Sequence, residues 1–577
     1  MSTNLPNNCE AILHPHKSVN SVAKNSSCEA TPLFLPNGFK DSSHNIKNIH
    51  PHKSVKSLAK NTSCEAMPLF LPNGFKDSSH KIKNIHPRKS VKSVAKNTSC
   101  EVTPLFLPNG FKDSSHNIKN IHPRKSVKSV AKNTSCEATA NIFTKNSYMK
   151  IFLAALFLFT TLQSNAQKKY KSYLLMNGTA HLATGEVINN SLIGFKDGKL
   201  NLVANALITT VDTKQYDTII YIKGKHVYPG FIAPNIILGL IEVEAARPTQ
   251  DYDDVGEFNP NIRALIAYNT DSKIIPTVRD NGILLVQTTP RGGTISGSSS
   301  VMKTSGWNWE DAVLKEDDGI HLNWPRNFQQ TGWWAEPGGT QKNDQYKERT
   351  KSIRKFFEDA KAYCEIEKYE KPDLRFEAMR GIFNGEKNLY IRAEHVKEMT
   401  DAINFCRDLS IKKIVIIGGY DSWMITDMLK ENKVSVMLRG IHELPIRAED
   451  DVDMPYKLPK LLQDAGVLYC IQNEGNQEAS QSRNLPFMAG TAAGYGLTQE
   501  QALQSITINT AKILGIDKMY GSLEPEKSAT LFVSEGDALD MRTNNVTIAF
   551  INGEPVDLHT FQEDLNEKYL EKYGLKK

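Results

Sequence analysis

Residues 388–472 alternate between short apolar runs and amphipathic segments, and this pattern limits the possible folds more than any other part of the sequence. Four apolar runs have the length of buried strands: NLYIRA (388–393), KKIVIIGG (412–419), VSVML (434–438) and VLYCIQ (467–472). The segments between them repeat apolar residues at helical spacing, as Val396, Met399 and Ile403 do. Near-continuous apolar strands separated by helices predict a parallel sheet that is covered by helices on both faces.

The same arrangement continues on both sides of this region. NGILLVQTTP (281–290) is a further apolar strand, and LTQEQALQSITINTAKILGI (497–516) predicts a long closing helix with a capping box from Thr498 to Gln501. Eight strands fit the available length, which favours a TIM-like (β/α)8 barrel in the α/β class. An open doubly wound sheet is the alternative.

Short strands and turns lie on either side of this predicted barrel. Asp197-Gly198 separates two alternating runs on the N-terminal side, and Asn552-Gly553 separates two others on the C-terminal side. Both pairs are favoured in two-residue hairpin turns because their residues tolerate positive φ. We therefore expect small β elements on both sides of the barrel.

A glycine-rich stretch, TTPRGGTISGSSSVM (288–302), overlaps the end of the strand at 281–290. Gly292 and Gly297 have the spacing of a P-loop, but Ser298 stands where that loop requires lysine, so a nucleoside triphosphate is not the expected ligand. A glycine-rich loop at the end of a barrel strand can still offer backbone N–H groups to a carboxylate or phosphate, with Arg291 supplying charge. A tight crossing of the barrel mouth without a ligand is the alternative.

The first 148 residues are built differently, from near-identical copies 36 residues long. Cys28, Cys64, Cys100 and Cys136 fall at the same phase of successive copies. This part carries 21 Lys and Arg against 8 Asp and Glu, so its charge of +13 leaves −7 for the remainder. The acidic remainder has no basic stripe, which argues against nucleic acid as a partner. We expect residues 1–148 to be untranslated or disordered, with a repeat solenoid as the alternative.

Residues 149–167, MKIFLAALFLFTTLQSNAQ, have the organisation of a secretory signal peptide. Met149 and Lys150 precede an apolar run from Ile151 to Leu162, which is too short to span a bilayer. We expect translation to start at Met149 and cleavage to follow residue 166. The mature chain would then be exported to the periplasm or the extracellular space, with no membrane span after signal removal.

A family resemblance rests on four motifs that occur in order. They are VYPGFI (227–232), ITINTAKILGI (506–516), GSLEPEKSATLFVSEGDALD (521–540) and AFINGEPVDL (549–558). Their order and spacing resemble the amidohydrolase superfamily, specifically its imidazolonepropionase-related branch, from about Tyr173 to Leu558. The resemblance implies a small composite β-sandwich, formed by the two terminal segments of the mature chain, on a TIM-like (β/α)8 barrel whose mouth holds the site.

These features divide the chain into six ranges. They are the repeats (1–148), the signal peptide (149–166), the first part of the β-sandwich (167–232), the barrel (233–519), the second part of the β-sandwich (520–558) and a C-terminal helical tail (559–577).

The first barrel strand departs from the motif of the family that the chain resembles. That motif, PGFIDAHxH, supplies two histidines that bind a divalent metal, which activates water. Alternate residues of a strand point to the same side, so a His-x-His pair directs both imidazoles into the barrel mouth. Here Ala233 replaces the aspartate, and Asn235 and Ile237 replace the histidines.

Later strands also lack the family's usual ligands. Arg392 lies where the fifth strand often ends in histidine, and the position on the sixth strand falls at Gly418 or Gly419. Glu474 lies about where the family has an aspartate that binds metal and shuttles protons. Glu394 and His395, which follow Arg392, either join it at the mouth or solvate the start of a helix.

The remaining candidates follow from the resemblance and from the residue types. Catalytic candidates are Glu474, His442 and Arg392, and substrate-binding candidates are Asn235, Gln287, Arg291 and His321. His321, His442 and Glu474 are also the candidates for a rebuilt site for a zinc-type divalent metal. For each of them the alternative is a structural or surface role. The sequence has no G-x-S-x-G, H-E-x-x-H or C-x-x-C motif that would indicate other chemistry.

Two functions remain open at this point. The first, implied by the resemblance, is an exported hydrolase that acts on non-peptide C–N bonds of small cyclic amides or modified peptides. The second is a catalytically inactive protein of the amidohydrolase fold that binds a small molecule or a partner. The partner would be a second copy of the chain or an active amidohydrolase relative.

Overall fold

The computed structural model describes residues 171–333, 335–475 and 477–575. The expected repeats and signal peptide lie outside these ranges. The strands, in chain order, are β1 Tyr173–His181, β2 Val187–Lys196, β3 Lys199–Asn205, β4 Thr218–Tyr221, β5 His226–Pro229, β6 Phe231–Ile236, β7 Ile283–Thr288, β8 Ile295–Lys303, β9 Val313–Asn323, β10 Phe328–Trp333, β11 Glu336–Lys342, β12 Asn388–Ala393, β13 Ile414–Gly418, β14 Ser435–Leu438, β15 Tyr469–Ile471, β16 Leu531–Ser534, β17 Val546–Ile551 and β18 Glu554–Pro555.

The α-helices of the described residues are α1 Ala264–Ala267, α2 Ile274–Arg279, α3 Trp309–Ala312, α4 Tyr346–Cys364, α5 Leu374–Phe383, α6 Val396–Asp408, α7 Thr426–Glu431, α8 Met454–Ala465, α9 Glu478–Gln481, α10 Leu485–Gly494, α11 Gln499–Ser505, α12 Ile508–Leu514 and α13 Phe561–Lys572. Within the described part of the chain, no helix is both long and apolar enough to cross a bilayer.

Strands from both ends of the described chain share one sheet. Its order is β18-β17-β16-β5-β1-β2-β3, with β4 also paired to β1. The rings of Tyr173 on β1 and Phe550 on β17 lie 4.8 Å apart, although β5 and β16 separate these strands in the sheet. The sheet therefore curls over a core of its own. The expected β-structure from both terminal segments forms in this way.

Both predicted hairpin turns are confirmed. Asp197 and Gly198 connect β2 to β3 with φ angles of 51° and 80°, and Lys196 pairs with Lys199. Asn552 has φ 51° between β17 and β18. Turns of this type require positive φ at both central residues, which is why these short signals can be recognised in the sequence.

A second sheet forms the barrel, in the order β6-β7-β8-β9-β12-β13-β14-β15. Helices pack around its outer face over the largest apolar core of the described chain. The sheet is nearly closed into a barrel, but closure is incomplete because its edge strands β6 and β15 do not form a ladder with each other. The TIM-like barrel expected from the sequence is therefore present, and the open doubly wound sheet is not.

One barrel strand corrects the prediction of a wholly parallel sheet. β8 runs antiparallel to both β7 and β9, whereas the other neighbouring pairs are parallel. Much of the stretch predicted as a glycine-rich loop is thus a buried strand. Its small residues allow close packing, because a Cβ at Gly297 would lie 2.5 Å from the carbonyl oxygen of Ile262.

The closing segment at 497–516 also differs from the prediction of a single helix. The capping box is confirmed, with Thr498 and Gln501 each bonding the other's backbone N–H. The helix ends after Ser505, however, and α12 begins at Ile508. The carbonyl of Ile506 accepts a hydrogen bond of 2.9 Å from the N–H of Ile232 on β6, so the barrel strand takes an acceptor that a continuous helix would use itself.

Candidate functional site at the barrel mouth

The interior of the barrel is polar towards the carboxyl ends of the parallel strands and apolar towards their amino ends. The apolar part includes Ile232, Leu285, Val301, Ile417, Met437 and Cys470. The polar part includes Asn235, Gln287, His321, Arg392, Gln472 and Glu474. Six of the seven predicted site residues therefore lie in or beside this upper part, where barrel enzymes place their sites; His442 does not.

Arg392 and Glu474 form an ion pair across the mouth. Arg392 lies on β12 and Glu474 follows β15, and the Nη1 atom of the arginine contacts Oε1 of the glutamate. The Nε of Arg392 also donates to Oδ1 of Asn323 at 3.0 Å. Burial, followed by the positive charge of Arg291, lowers the pKa of Arg392 to about 9. A guanidinium this buried needs the carboxylate as its counter-charge.

Asn235 joins the two edge strands of the barrel. Its Nδ2 donates to Oε2 of Glu474 at 3.0 Å and approaches Oε1 of Gln472 at 3.4 Å. Its backbone N–H donates to Oε1 of Gln287 at 3.0 Å. Asn235 is fully buried and has φ 53°, a conformation that asparagine tolerates better than most residues.

Arg291 holds a second ion pair at the mouth. Its Nη2 lies 2.8 Å from Oε1 of Glu478, at the start of α9, and donates to the backbone carbonyl of Asn235 at 2.8 Å. Glu478 is 5% exposed, so this pair is also largely removed from water. Each of the two predicted arginines is thus neutralised by a glutamate of the segment that follows β15.

His321 is buried without a protein partner for its ring. It lies on β9, is 3% exposed and stacks on Tyr390 with ring centroids 4.6 Å apart. Neither Nδ1 nor Nε2 has a hydrogen-bond partner among the described residues. Burial and the positive charges of Arg291 and Arg392 hold its pKa well below the ordinary value, so the imidazole is neutral. It therefore presents one N–H donor and one free acceptor.

Below the mouth, the carboxylate of Asp318 accepts hydrogen bonds from residues on three strands. Its carboxylate accepts from Nε2 of Gln287 at 2.9 Å, from Oγ of Ser299 at 2.7 Å and from the hydroxyl of Tyr390. Burial raises the pKa of Asp318 despite these donors. Since Gln287 also bonds Asn235, a continuous chain of hydrogen bonds runs from this buried carboxyl group to the mouth.

His442 does not lie with the other candidates. It follows β14 in an exposed loop, and its Nε2 hydrogen-bonds Oγ1 of Thr491 on α10 at 2.8 Å. Among the described residues, His442 is therefore not grouped with His321 and Glu474 in an arrangement that could hold a metal ion.

Neither Gly418 nor Gly419, which lie where the family's sixth strand carries a metal ligand, has space for a metal-binding side chain. Gly418 has φ 97°, and a Cβ there would collide with the Glu394 carboxylate. A Cβ at Gly419 would lie 2.7 Å from Cγ1 of Val436. Glu394 itself is 7% exposed, accepts from the N–H of Tyr420, and has a pKa raised by burial. Its carboxylate thus fills the space that a side chain at 418 would need.

The residues at the mouth do not fit a divalent metal of the zinc type. Among residues 171–333, 335–475 and 477–575, no three His, Cys, Asp or Glu side chains are arranged to hold a metal ion. Glu474, the one carboxylate candidate, is bonded to Arg392 and Asn235. The carboxylate of Glu478 is likewise occupied by its ion pair with Arg291.

An open cavity of about 420 Å³ lies above these residues. Its walls include Ile237, Tyr252, Arg291, Glu474 and Glu478. Both polar and apolar surface is present, and the volume suits a small organic molecule.

Sequence reasoning missed several residues that the structure brings to this region. Glu478 and Asp318 are partners of predicted residues, and Gln472 has a buried Nε2 without a partner among the described residues. The sequence signal that could have identified Gln472 is the alternation of side chains along an extended segment, which repeats every two residues. Gln472 lies two positions from Cys470 and from Glu474, on one face of an extended segment.

Comparison with known proteins agrees with this fold. The amidohydrolase family model matches residues 429–556. The chain is 23% identical over 138 residues to the imidazolonepropionase of Flavobacterium psychrophilum, covering 22% of this chain and 34% of that protein. It is 25% identical over 130 residues to the imidazolonepropionase of Flavobacterium johnsoniae, covering 21% of this chain and 32% of that protein. The matches thus span about a third of the length of these curated relatives.

A solved structure extends the similarity to the whole barrel. The amidohydrolase from Thermotoga maritima MSB8 superposes with a TM-score of 0.58 and 23% sequence identity, over 67% of this chain and 99% of that one. This likeness concerns the fold. The family model and the two relatives match only part of the chain, and together with this structure they make it similar to amidohydrolases, imidazolonepropionases among them.

Proposed function

We propose that the barrel is a metal-independent binding module for a small polar molecule. The observation that carries this proposal is His321, a neutral imidazole that is 3% exposed and has no partner for either ring nitrogen among the described residues. Leaving buried polar groups unpaired costs about 1–3 kcal/mol each. A bound molecule that supplies those partners would recover this free energy, which favours a ligand at this position.

The neighbouring donors define the chemistry of the ligand. The Nε2 of Gln472, whose Oε1 lies 3.4 Å from Nδ2 of Asn235, is also buried without a partner among the described residues. Together with the imidazole N–H of His321, it offers donors to carbonyl or carboxylate oxygens. The free ring nitrogen of His321 accepts one hydrogen bond in return. A small molecule that carries two or more oxygen acceptors and one N–H or O–H donor would match this set.

Hydrolysis is the second candidate, and the matches to imidazolonepropionases favour it. The substrates would be small cyclic amides or modified peptides, cleaved at a non-peptide C–N bond. The residues offer less support for this function. Glu474 would have to leave Arg392 before it could act as a base, and Arg392 would then lose its counter-charge.

One experiment separates the two candidates. The full chain is purified without chelators, and its metal content is measured by elemental mass spectrometry beside native mass spectrometry of retained small molecules. We expect well under one zinc, iron or manganese per chain, and a retained small molecule that is lost in His321→Phe. About one metal per chain, lost in Glu474→Gln and accompanied by amide hydrolysis, would instead establish the hydrolase.

Location and partners belong to the same proposal. We propose that the segment 149–166 directs export to the periplasm or the extracellular space, and that the barrel then binds its ligand there. Association with a second copy or with an active amidohydrolase would give the module a partner. Fractionation of cells and size-exclusion chromatography of the exported protein test these two points directly.

A further inference from the structure

A second cavity, of about 600 Å³, lies outside the barrel mouth. Its walls come from the β10–β11 hairpin and the segment before it, from the residues that follow β12 and β13, and from the loop before α8. The side chains that matter here are Arg326, Phe328, His395, Ile446 and Arg447. The two cavities share no wall residue, so this one is a separate site.

His395 presents one ring nitrogen to this cavity. Its Nδ1 lies 3.2 Å from Oδ2 of Asp421, which is 4% exposed. Arg447 donates to both carboxylate oxygens of Asp421, at 3.0 and 2.8 Å. Although burial raises the pKa of Asp421, hydrogen bonds from His395 and Arg447 lower it to about 2. Asp421 is therefore ionised, and Nδ1 of His395 is its donor.

The cavity is lined by the cations Arg326, Lys397 and Arg447 and by the carboxylates of Asp421 and Glu449. Arg447 is paired with Asp421 and Asp450, whereas the charge of Arg326, after that of Arg439, opposes the burial that raises the pKa of Glu394. Hydrogen bonding to Asp421 raises the pKa of His395, although burial opposes that rise. Arg326 and His395 together suit an anionic group.

The remaining walls are apolar. The side chain of Phe328 is 47% exposed and that of Ile446 is 40% exposed, although both line the cavity. Exposed aromatic and aliphatic side chains beside a cluster of cations favour a ligand that has an apolar ring as well as a charge.

We propose that this cavity binds a small aromatic carboxylate. The carboxylate contacts the guanidinium of Arg326 and the Nε2 of His395, and the ring packs between Phe328 and Ile446. Asp421 and Arg447 act as positioning residues, because they fix the orientation of the imidazole without reaching the ligand. A cavity of this volume has room for such a molecule.

The test uses 4-fluorobenzoate as the probe and 19F nuclear magnetic resonance of the full chain. We expect saturable binding that weakens at least tenfold in Arg326→Ala and in Phe328→Ala. Arg542→Ala is the matched control, because it removes an exposed arginine from a remote loop and should leave the affinity unchanged. Circular dichroism confirms that each variant is folded.

Two results would overturn the proposal. The first is an affinity that does not change in either Arg326→Ala or Phe328→Ala. The second is binding that disappears in His321→Phe but persists in Arg326→Ala, since the probe would then occupy the barrel mouth. Because His321 does not line the cavity that contains Arg326, the proposed function and this inference can fail independently of one another.

Discussion

The Nδ2 atom of Asn235 donates a hydrogen bond of 3.0 Å to Oε2 of Glu474, across the gap between the first and last strands of the barrel. Strands β6 and β15 have no ladder between them, so side chains provide this connection. The same glutamate neutralises Arg392. One carboxylate therefore helps both to close the barrel and to balance the charge at its mouth.

Replacement of Asn235 by alanine should destabilise the protein. The change leaves a carboxylate oxygen of Glu474 without its donor, which costs about 1–3 kcal/mol. It also places alanine at φ 53°, which adds about 1–2 kcal/mol. Urea unfolding measures the sum. Asn235→Gly is the control, since glycine adopts this φ freely, and equal losses in the two variants would contradict the contribution from the backbone.

Arg392 and Glu474 should show strong energetic coupling. We expect Arg392→Met to lower the free energy of unfolding by about 3–5 kcal/mol, because it leaves a mostly buried carboxylate unpaired. Adding Glu474→Gln to that variant removes the charge and should restore much of the loss. A double-mutant cycle from urea unfolding gives the coupling energy. If the losses in free energy of unfolding of the two single variants add up to the loss in the double variant, the two side chains are not energetically coupled.

His321→Phe should increase the stability of the ligand-free protein. Phenylalanine keeps the stack on Tyr390 and removes two ring nitrogens that have no partner in the described chain. Relief of those unpaired groups is worth about 1–3 kcal/mol. Urea unfolding of ligand-free protein measures the gain, and ligand binding should be lost in the same variant. A destabilised variant would show that ordered water already satisfies the imidazole.

The stability contributed by His395 should fall with rising pH. The hydrogen bond to Asp421 raises the pKa of this histidine in the folded state, with Glu398 also raising it and Arg447 opposing. The contribution is complete below the unfolded pKa of about 6.5, and is lost as the pH rises through the higher folded value. The free energy of unfolding of the unmodified protein and of His395→Asn, compared from pH 5.5 to 8.5, isolates the contribution of His395. Parallel curves would contradict this assignment.

Local signals in the sequence predicted local structure well. The turns at Asp197 and Asn552, and the cap at Thr498, depend on residues within a few positions of each other. The apolar strands were equally clear, because burial on both faces of a barrel strand requires a continuous apolar run. The barrel and the terminal sheet followed from these elements together with the family resemblance.

What the sequence did not reveal depends on contacts between distant residues. Ser296 to Ser300 have low strand propensity, and their burial in β8 is decided by the neighbouring strands β7 and β9. The pairing of Arg291 with Glu478 joins residues 187 positions apart, and no local pattern predicts it. The contact of His442 with Thr491 was also not predictable, because a position after a strand does not fix the direction of the following loop.

The pairing of β5 with β16 has a kinetic consequence for synthesis of the chain. Val227 and Val533 are partners in the terminal sheet, roughly 300 residues apart. At translation rates of about 5–20 residues per second, β5 emerges about 15–60 s before its partner exists. During that interval, the edge of a half-built sheet is open to pairing with other chains. Efficient folding would therefore require either that a chaperone covers this edge early or that collapse of the sheet is delayed.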